Sequence, residues 1–437
     1  MTASKIIREE TKMTTEIIIA LVILVAMLVL YMTEWIPLVV TAVLGCFAFY
    51  VTGIISASDA LAGFSNNTLL MIIGILITGV GLSSSGFAKW LGQRLIKVLG
   101  TNERRVMAII TAGSGIMSAF IQNGACNSAF LPMIDAISES SNGKIKSKNL
   151  VMAMGLAVSA GGVCTLIGST PQMISQGLLE SAGYRMFTFA ELGIVGFPIL
   201  AFLVLYFSTF GYKHVIKVVE YMPDKEISSE SVSGVGEQKF TIQMGCAAAA
   251  LVFMIIGLAA QLWTNAWVAL ISGMFVIVTG CVKPKVALSK VNWNSVFIIA
   301  MTMGVGKGLS ASGAAEFLAD TVANIVGDNA SPTVVLIACG VLFTVMGNFM
   351  SHTSVLTLMV PIFIPVAEAL QLNPTTLIYA ITLYTSSAST LPLGKASYTM
   401  TMAEGYAMKD YAKTNWPVNA AAFVIITVIC SVMFAMG

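Results

Sequence analysis

From Ile17 to Met32 the chain carries no charged residue, and uncharged apolar runs of similar length recur as far as Met433. A helix rises about 1.5 Å per residue, so a run of about 20 residues matches the roughly 30 Å hydrocarbon core of a bilayer. In water these runs would need a polar skin that the chain cannot supply. Only 10% of its residues are charged and 57% are apolar, whereas soluble domains devote about a quarter of their residues to charge. The fold class is therefore an all-α polytopic membrane protein with the lipid bilayer as a partner. The first run follows a tail, 1–14, with charges of both signs, and no A-x-A-like cleavage site comes after it. It reads as a first helix rather than a signal peptide.

A net charge of +2, with no cluster of Lys and Arg interleaved with aromatics, excludes a strongly basic nucleic-acid binder. The seven cysteines stand singly with no CxxC, as packing residues do. With His214 and His352 the only histidines, there is almost no raw material for a histidine metal site or a Ser-His-Asp enzyme. Neither an enzyme nor a resident cofactor is expected.

Apolar periodicity predicts about ten spans: 15–32, 36–53, 66–84, 150–167, 187–209, 241–261, 265–281, 293–310, 375–391 and 415–435. A polar linker, 211–240, divides them into halves at 15–210 and 241–437. Two further stretches, 106–139 and 332–370, each hold two apolar arms around a polar tip. Arms of about 15 residues would rise only about 22 Å, so re-entrant hairpins are expected. Short amphipathic segments at 87–99 and 314–325 precede them.

These features occur twice. Gly-Leu-Ser-Ser-Ser-Gly at 81–86 matches Gly-Leu-Ser-Ala-Ser-Gly at 308–313, Pro132 matches Pro361, and Gly168 matches Gly394, all about 227 residues apart. Five spans and one hairpin per unit make an odd number of crossings, so the second repeat is inverted, as in secondary transporters. Charge placement agrees. If the loops 85–106, 140–149, 211–240, 282–291 and 405–414 are cytoplasmic, they hold 17 of the 23 Lys and Arg. Both termini are then outside. Two lysines remain in embedded segments: Lys307, expected to snorkel to the interface, and Lys395.

Four polar breaks interrupt the apolar helices: Gln122-Asn123-Gly124, Ser169-Thr170-Pro171 after Gly168, Ser351-His352-Thr353, and Lys395-Ala396-Ser397 after Gly394. Lipid cannot satisfy the backbone groups that a break frees, so each break must face protein, water or ligand. If the repeats fold together, the second hairpin arms and the half-helices beginning near Pro171 and Ser397 aim their N-termini at one place. Thr170 and Pro171 suit an N-cap and the position after it. Converging helix N-termini favour an anion. Asn123, with little around it to pack against, is expected to face ligand; the hydroxyls of Ser351 and Thr353 can also bond back to their own helix. Neither Gly-Lys pair fits a phosphate loop.

The doubled tips followed by Pro and the doubled breaks resemble the divalent anion/sodium symporter family of di- and tricarboxylate transporters. The resemblance covers nearly the whole chain, without a counterpart to that family's extra first helix. It implies a dicarboxylate substrate, a bacterial plasma membrane location and a homodimer whose scaffold carries an elevator-like domain built from the hairpins and the last two spans of each repeat. In that family each tip reads Ser-Asn-Thr and helps bind substrate and sodium. Here the tips read Gln-Asn-Gly and Ser-His-Thr. The family's breaks usually read Gly-Thr-Pro-Pro-Asn. Here they read Gly-Ser-Thr-Pro-Gln and Gly-Lys-Ala-Ser-Tyr.

Lys395 and His352 thus put donors where sodium would need oxygens. An embedded lysine costs about 2.5 kcal/mol or more and needs a partner or a purpose. The expectation is that Lys395, with His352, substitutes for a cation, so that no sodium is required. Exchange and proton coupling through His352 both remain open, as does a neutral His352 that never titrates. Lys395 paired with a buried carboxylate is the structural alternative. A sodium-coupled symporter of di- or tricarboxylates or sulfate is the rival carrier, and a channel is the rival class.

Overall fold

The computed structural model describes residues 13–87, 90–91, 102–141, 144–189, 191–223, 239–326, 331–387 and 390–436. Among them there are helices and no strand. Residues 1–12 of the expected tail, most of the 87–99 segment and residues 224–238 of the expected linker lie outside the described residues.

Six helices are long and apolar enough to cross a bilayer alone, among them Thr15–Thr33, Asn67–Ser84, Ile242–Ala259 and Met408–Met436. Leu38–Val51 and Asn265–Val278 are shorter apolar helices. Their outer faces identify the solvent. Along Thr15–Thr33 the exposed side chains are Ile18, Val22, Val25, Val29 and Met32, and along the last helix Val424, Val428, Val432 and Met436. Apolar stripes at helical spacing on the outside are tolerable only against lipid.

The helix order repeats with the expected offset, down to its stops. Gly86 and Gly313 end Asn67–Ser84 and Trp293–Ala311 with φ of +84° and +74°, the left-handed conformation that glycine adopts most cheaply. Packing is reciprocal as well. Asn67–Ser84 lies on Asn265–Val278, while Trp293–Ala311 lies on Leu38–Val51. In the first hairpin the second arm, Asn123–Ser140, packs on the half-helix Ala396–Met402 of the second repeat. In the second hairpin His352–Ala369 packs on Thr170–Ser181 of the first repeat. Such exchange of equivalent contacts is what a two-fold axis produces.

The chain forms two packed groups. One holds the first spans of each repeat; the other holds both hairpins, both broken helices and the last helix of each repeat. They meet where Asn67–Ser84 and Trp293–Ala311 touch Thr170–Ser181, and where Thr15–Thr33, Trp293–Ala311 and Ala314–Val326 touch His352–Ala369.

Several expected boundaries need correction. The hairpin arms, Glu103–Ser118, Asn123–Ser140, Pro332–Phe349 and His352–Ala369, run to 16 or 18 residues, and both arms of the second are long and apolar enough to cross on length and composition. The linker expected from 211 begins as a helix, Phe210–Val219, bent 69° from Gly193–Ser208. Its polar composition hides a narrow buried stripe of Gly211, Val215 and Val219 at i, i+4, i+8. The Tyr212 hydroxyl ties it to Glu103 at 2.9 Å. Lys307 does not simply snorkel. Its Nζ lies 2.9 Å from the Asp59 carboxylate, and hydrogen bonds from Ser56 and then Lys307 hold that carboxyl below its usual range.

Candidate functional site

The two hairpin tips and two helix breaks meet around one cavity of about 430 Å³. Gln122, Asn123, Gly124, Ser169, Thr170, Pro171, Ser351, His352, Thr353, Lys395 and Ser397 all line it. Ala396 heads its half-helix between two of these residues. Leu38 and Asn292 from the first-span group close one side, and Ser159 and Ser386 add hydroxyls near the ends of the half-helices preceding the breaks. Sequence reasoning missed these four, since nothing in the local pattern at 38 or 292 announces contact with a site built by distant segments.

Each break is held by its own hairpin. Beside Gly168 a Cβ would stand 2.5 Å from the Ser118 carbonyl oxygen; beside Gly394 one would stand 2.5 Å from that of Gly347 and 2.6 Å from that of Met350. In the first repeat the Thr165 hydroxyl donates to the Ala119 carbonyl. In the second, Asn348 at the corresponding position accepts from the backbone N–H groups of Thr390 and Leu391, both at 2.7 Å. The repeats are also stitched to each other: Asn127 Nδ2 donates to the Ser397 carbonyl at 2.8 Å, and Thr382 Oγ1 to Ser175 Oγ at 2.6 Å.

Asn123 has more to pack against than its small neighbours suggest. With its amide oriented so that donors meet acceptors, the nitrogen lies 3.0 Å from the Gly168 carbonyl oxygen, 3.2 Å from that of Val158 and 2.7 Å from Ser118 Oγ. Asn123 therefore braces the tip against the first break while lining the cavity. His352, its counterpart, is buried, with ring carbon Cδ2 3.0 Å from where a Cβ on Gly394 would stand.

The cap at the first break is Ser169, one residue earlier than expected, with Thr170 the first helical residue. Asn123–Ser140, Thr170–Ser181 and Ala396–Met402 receive no side-chain cap. Their first turns, whose leading N–H groups have no partner within the helix, border the cavity. Only His352–Ala369 is capped, by Ser351 Oγ accepting from the Ser354 N–H at 3.1 Å. Lys395 is 7% exposed. Its Nζ lies 3.3 Å from the Tyr398 hydroxyl and 4.8 Å from the centre of that ring, within cation–π range. No Asp or Glu lines the cavity among the described residues, and none of them forms a cluster of three His, Cys, Asp or Glu fit for a metal ion.

Comparison with known proteins follows the same lines. The citrate transporter family model matches residues 28–384 and again 264–436. The sodium-dependent dicarboxylate transporter SdcS of Staphylococcus saprophyticus is 24% identical over 91% of this chain and 82% of its own length. SdcS of Staphylococcus aureus strain USA300 is 22% identical over 92% and 83%. Among solved structures, MtrF of Neisseria gonorrhoeae, described as illuminating a class of antimetabolite efflux pumps, is similar at a TM-score of 0.63 and 11% identity, covering 97% of this chain and 96% of its own. The YdaH transporter of Alcanivorax borkumensis gives 0.56 and 13%, covering 97% and 98%; at such identities both speak for the fold alone. With the family model spanning most of its length and these helices converging on one cavity, the chain belongs to the citrate transporter family and is an integral membrane transporter rather than an enzyme.

Proposed function

We propose that the chain is a secondary carrier of dicarboxylates, C4-dicarboxylates or 2-oxoglutarate, working without sodium as an exchanger. One observation carries this reading: a buried lysine, Lys395, in a cavity that no carboxylate of the described residues lines and that uncapped helix N-termini border. A cavity of about 430 Å³ falls in the usual range for small-molecule sites, about 300–1,000 Å³. The Lys395 amine, protonated beside a bound carboxylate, supplies positive charge and the N–H groups supply directional donors, so two carboxylates can be bound with little reorganisation.

The donor set does not suit sodium. At the first tip the Gly168 and Val158 carbonyls and the Ser118 hydroxyl already face the Asn123 amide nitrogen. At the second tip the Ser351 hydroxyl is used in capping, and Lys395 and His352 stand close by. Sodium needs oxygen ligands free to turn towards it. In this reading the hairpin-bearing group moves against the first-span group as an elevator, the chain works as a homodimer in a bacterial plasma membrane, and the basic loops lie in the cytoplasm with both termini outside.

The test is counterflow of labelled succinate or 2-oxoglutarate in proteoliposomes with sodium replaced by choline. Exchange that persists in choline supports the reading. Loss of counterflow in choline transfers the chain to the sodium-dependent mode printed in the name of its SdcS relatives, and uptake without saturation would make it a channel.

A further inference from the structure

A second cavity of about 360 Å³ shares Gln122 with the first. It runs between Leu76, Gly79 and Ser83 on Asn67–Ser84 and Ala125 and Ser128 on the second arm of the first hairpin, with Lys290 also lining it. From Leu76 to Ser83 is about 10 Å along the helix, so the crevice leads from mid-span to the helix end. The short helix Pro284–Lys290 packs on Asn67–Ser84. The walls are small where the path needs width, and a Cβ added at Gly79 would meet nothing within 4 Å.

Charge separates this crevice from the other large cavity. Among the described residues Lys290 is the only charged one lining it, and Lys283 and Lys285, close by in sequence, are exposed too. The opposite cavity, of about 470 Å³, is lined by Asp59, Glu316 and Glu368 against the single Lys307, and shares no residue with the central site. Fields of one sign at a narrow mouth raise the local concentration of oppositely charged ligands, an effect that salt screens.

We propose that the Gln122 crevice is the path by which the anion reaches the site from the membrane face bearing Lys290, and that Lys290, backed by Lys283 and Lys285, collects it there. The proposal rests on the dicarboxylate reading above. Lys290 acts on arrival only, so it is a positioning residue, and its removal changes KM rather than turnover.

Sided membrane vesicles test it. With the Lys290 face towards labelled succinate, Lys290→Gln raises KM about threefold to tenfold at low ionic strength, leaves kcat unchanged, and converges with the wild type in high salt. With the other face towards succinate, KM is unchanged. Gly79→Leu, which narrows the crevice without meeting a neighbour at its Cβ, lowers kcat/KM at least tenfold from the Lys290 face. Ser83→Cys, exposed in the crevice on the first-span group, is modified by a membrane-impermeant maleimide from that face alone, read as added mass on the protein. An unchanged KM for Lys290→Gln, an equal change from both faces, or labelling of Ser83→Cys from the opposite face overturns the proposal. Wild-type vesicles that carry no dicarboxylate overturn the proposed function instead, and the maleimide result still reads the path.

Discussion

In the first helix break Ser169 occupies the position that Lys395 occupies in the second, and at the tips Asn123 corresponds to His352. The backbone frame around them is shared: a half-helix ends, a glycine presses on the preceding hairpin arm, and a new helix starts at the cavity. The side chains differ in charge and size. Duplication therefore accounts for the shape of the site, while its sign comes from one half alone. The pair of breaks serves as its own control, since a role that belongs to the frame must respond alike in both and a role that belongs to the charge must not.

The largest expected contrast is Lys395→Ala against Ser169→Ala. Removing the Lys395 amine takes away the lysine that lines the cavity, and counterflow should fall at least about a hundredfold, equivalent to about 2.7 kcal/mol of lost binding or transition-state stabilisation. The protein should stay folded by size-exclusion chromatography in detergent. Ser169→Ala should reduce exchange by less than about tenfold, one hydrogen bond. Near-normal exchange by Lys395→Ala would remove the charge asymmetry from the mechanism.

Next in size is Asn348. Its side-chain oxygen accepts two backbone N–H groups of the second break, and Asn348→Ala leaves both without that acceptor. A loss of about 2–3 kcal/mol is expected, seen as a lower melting temperature in detergent. Since the first break is held through the Ala119 backbone carbonyl instead, no side-chain deletion at 119 can reproduce this loss. An unchanged melting temperature would mean that the second break holds its shape without the clamp.

The glycines should behave alike. Gly168→Ala and Gly394→Ala each push a Cβ against carbonyl oxygens of the neighbouring arm, and overpacking of this kind costs about 1–3 kcal/mol. Thermal melts of the two variants should shift by similar amounts. A shift in only one would mean that the frame is less symmetric than its contacts.

This division also explains what could be read in advance. The spans, the repeat and eleven of the cavity-lining positions were legible because lipid enforces long apolar runs and makes every polar break conspicuous. Leu38 and Asn292 were not, because they reach the cavity only through packing between the two helix groups. Asn123 was legible as a residue at a polar break, and it lines the cavity, but its bracing was not legible: the acceptors it meets are backbone carbonyls of Val158 and Gly168, which no side-chain pattern encodes. The helix Phe210–Val219 was lost in a polar stretch because only Gly211, Val215 and Val219 of its surface are buried. The pairing of Lys307 is not legible in the sequence because its partner, Asp59, is 248 residues away in the chain.

The smallest effect is the finest test of the frame. Ser351 and Gln122 both stand at the N-cap of a second hairpin arm, yet only Ser351 caps its helix, accepting from Ser354 N–H at 3.1 Å while sharing a 2.7 Å hydroxyl contact with Ser354 Oγ. Ser351→Ala should cost about 1 kcal/mol of stability, a fall of about 1–2 °C in melting temperature for a chain of this length. Gln122→Ala, with no cap to lose, should leave the melting temperature unchanged and weaken succinate binding instead. The two substitutions thus move different observables. If Ser351→Ala weakens succinate binding without lowering the melting temperature, its hydroxyl serves the ligand as Gln122 does, and the two tips are more alike in function than their capping makes them.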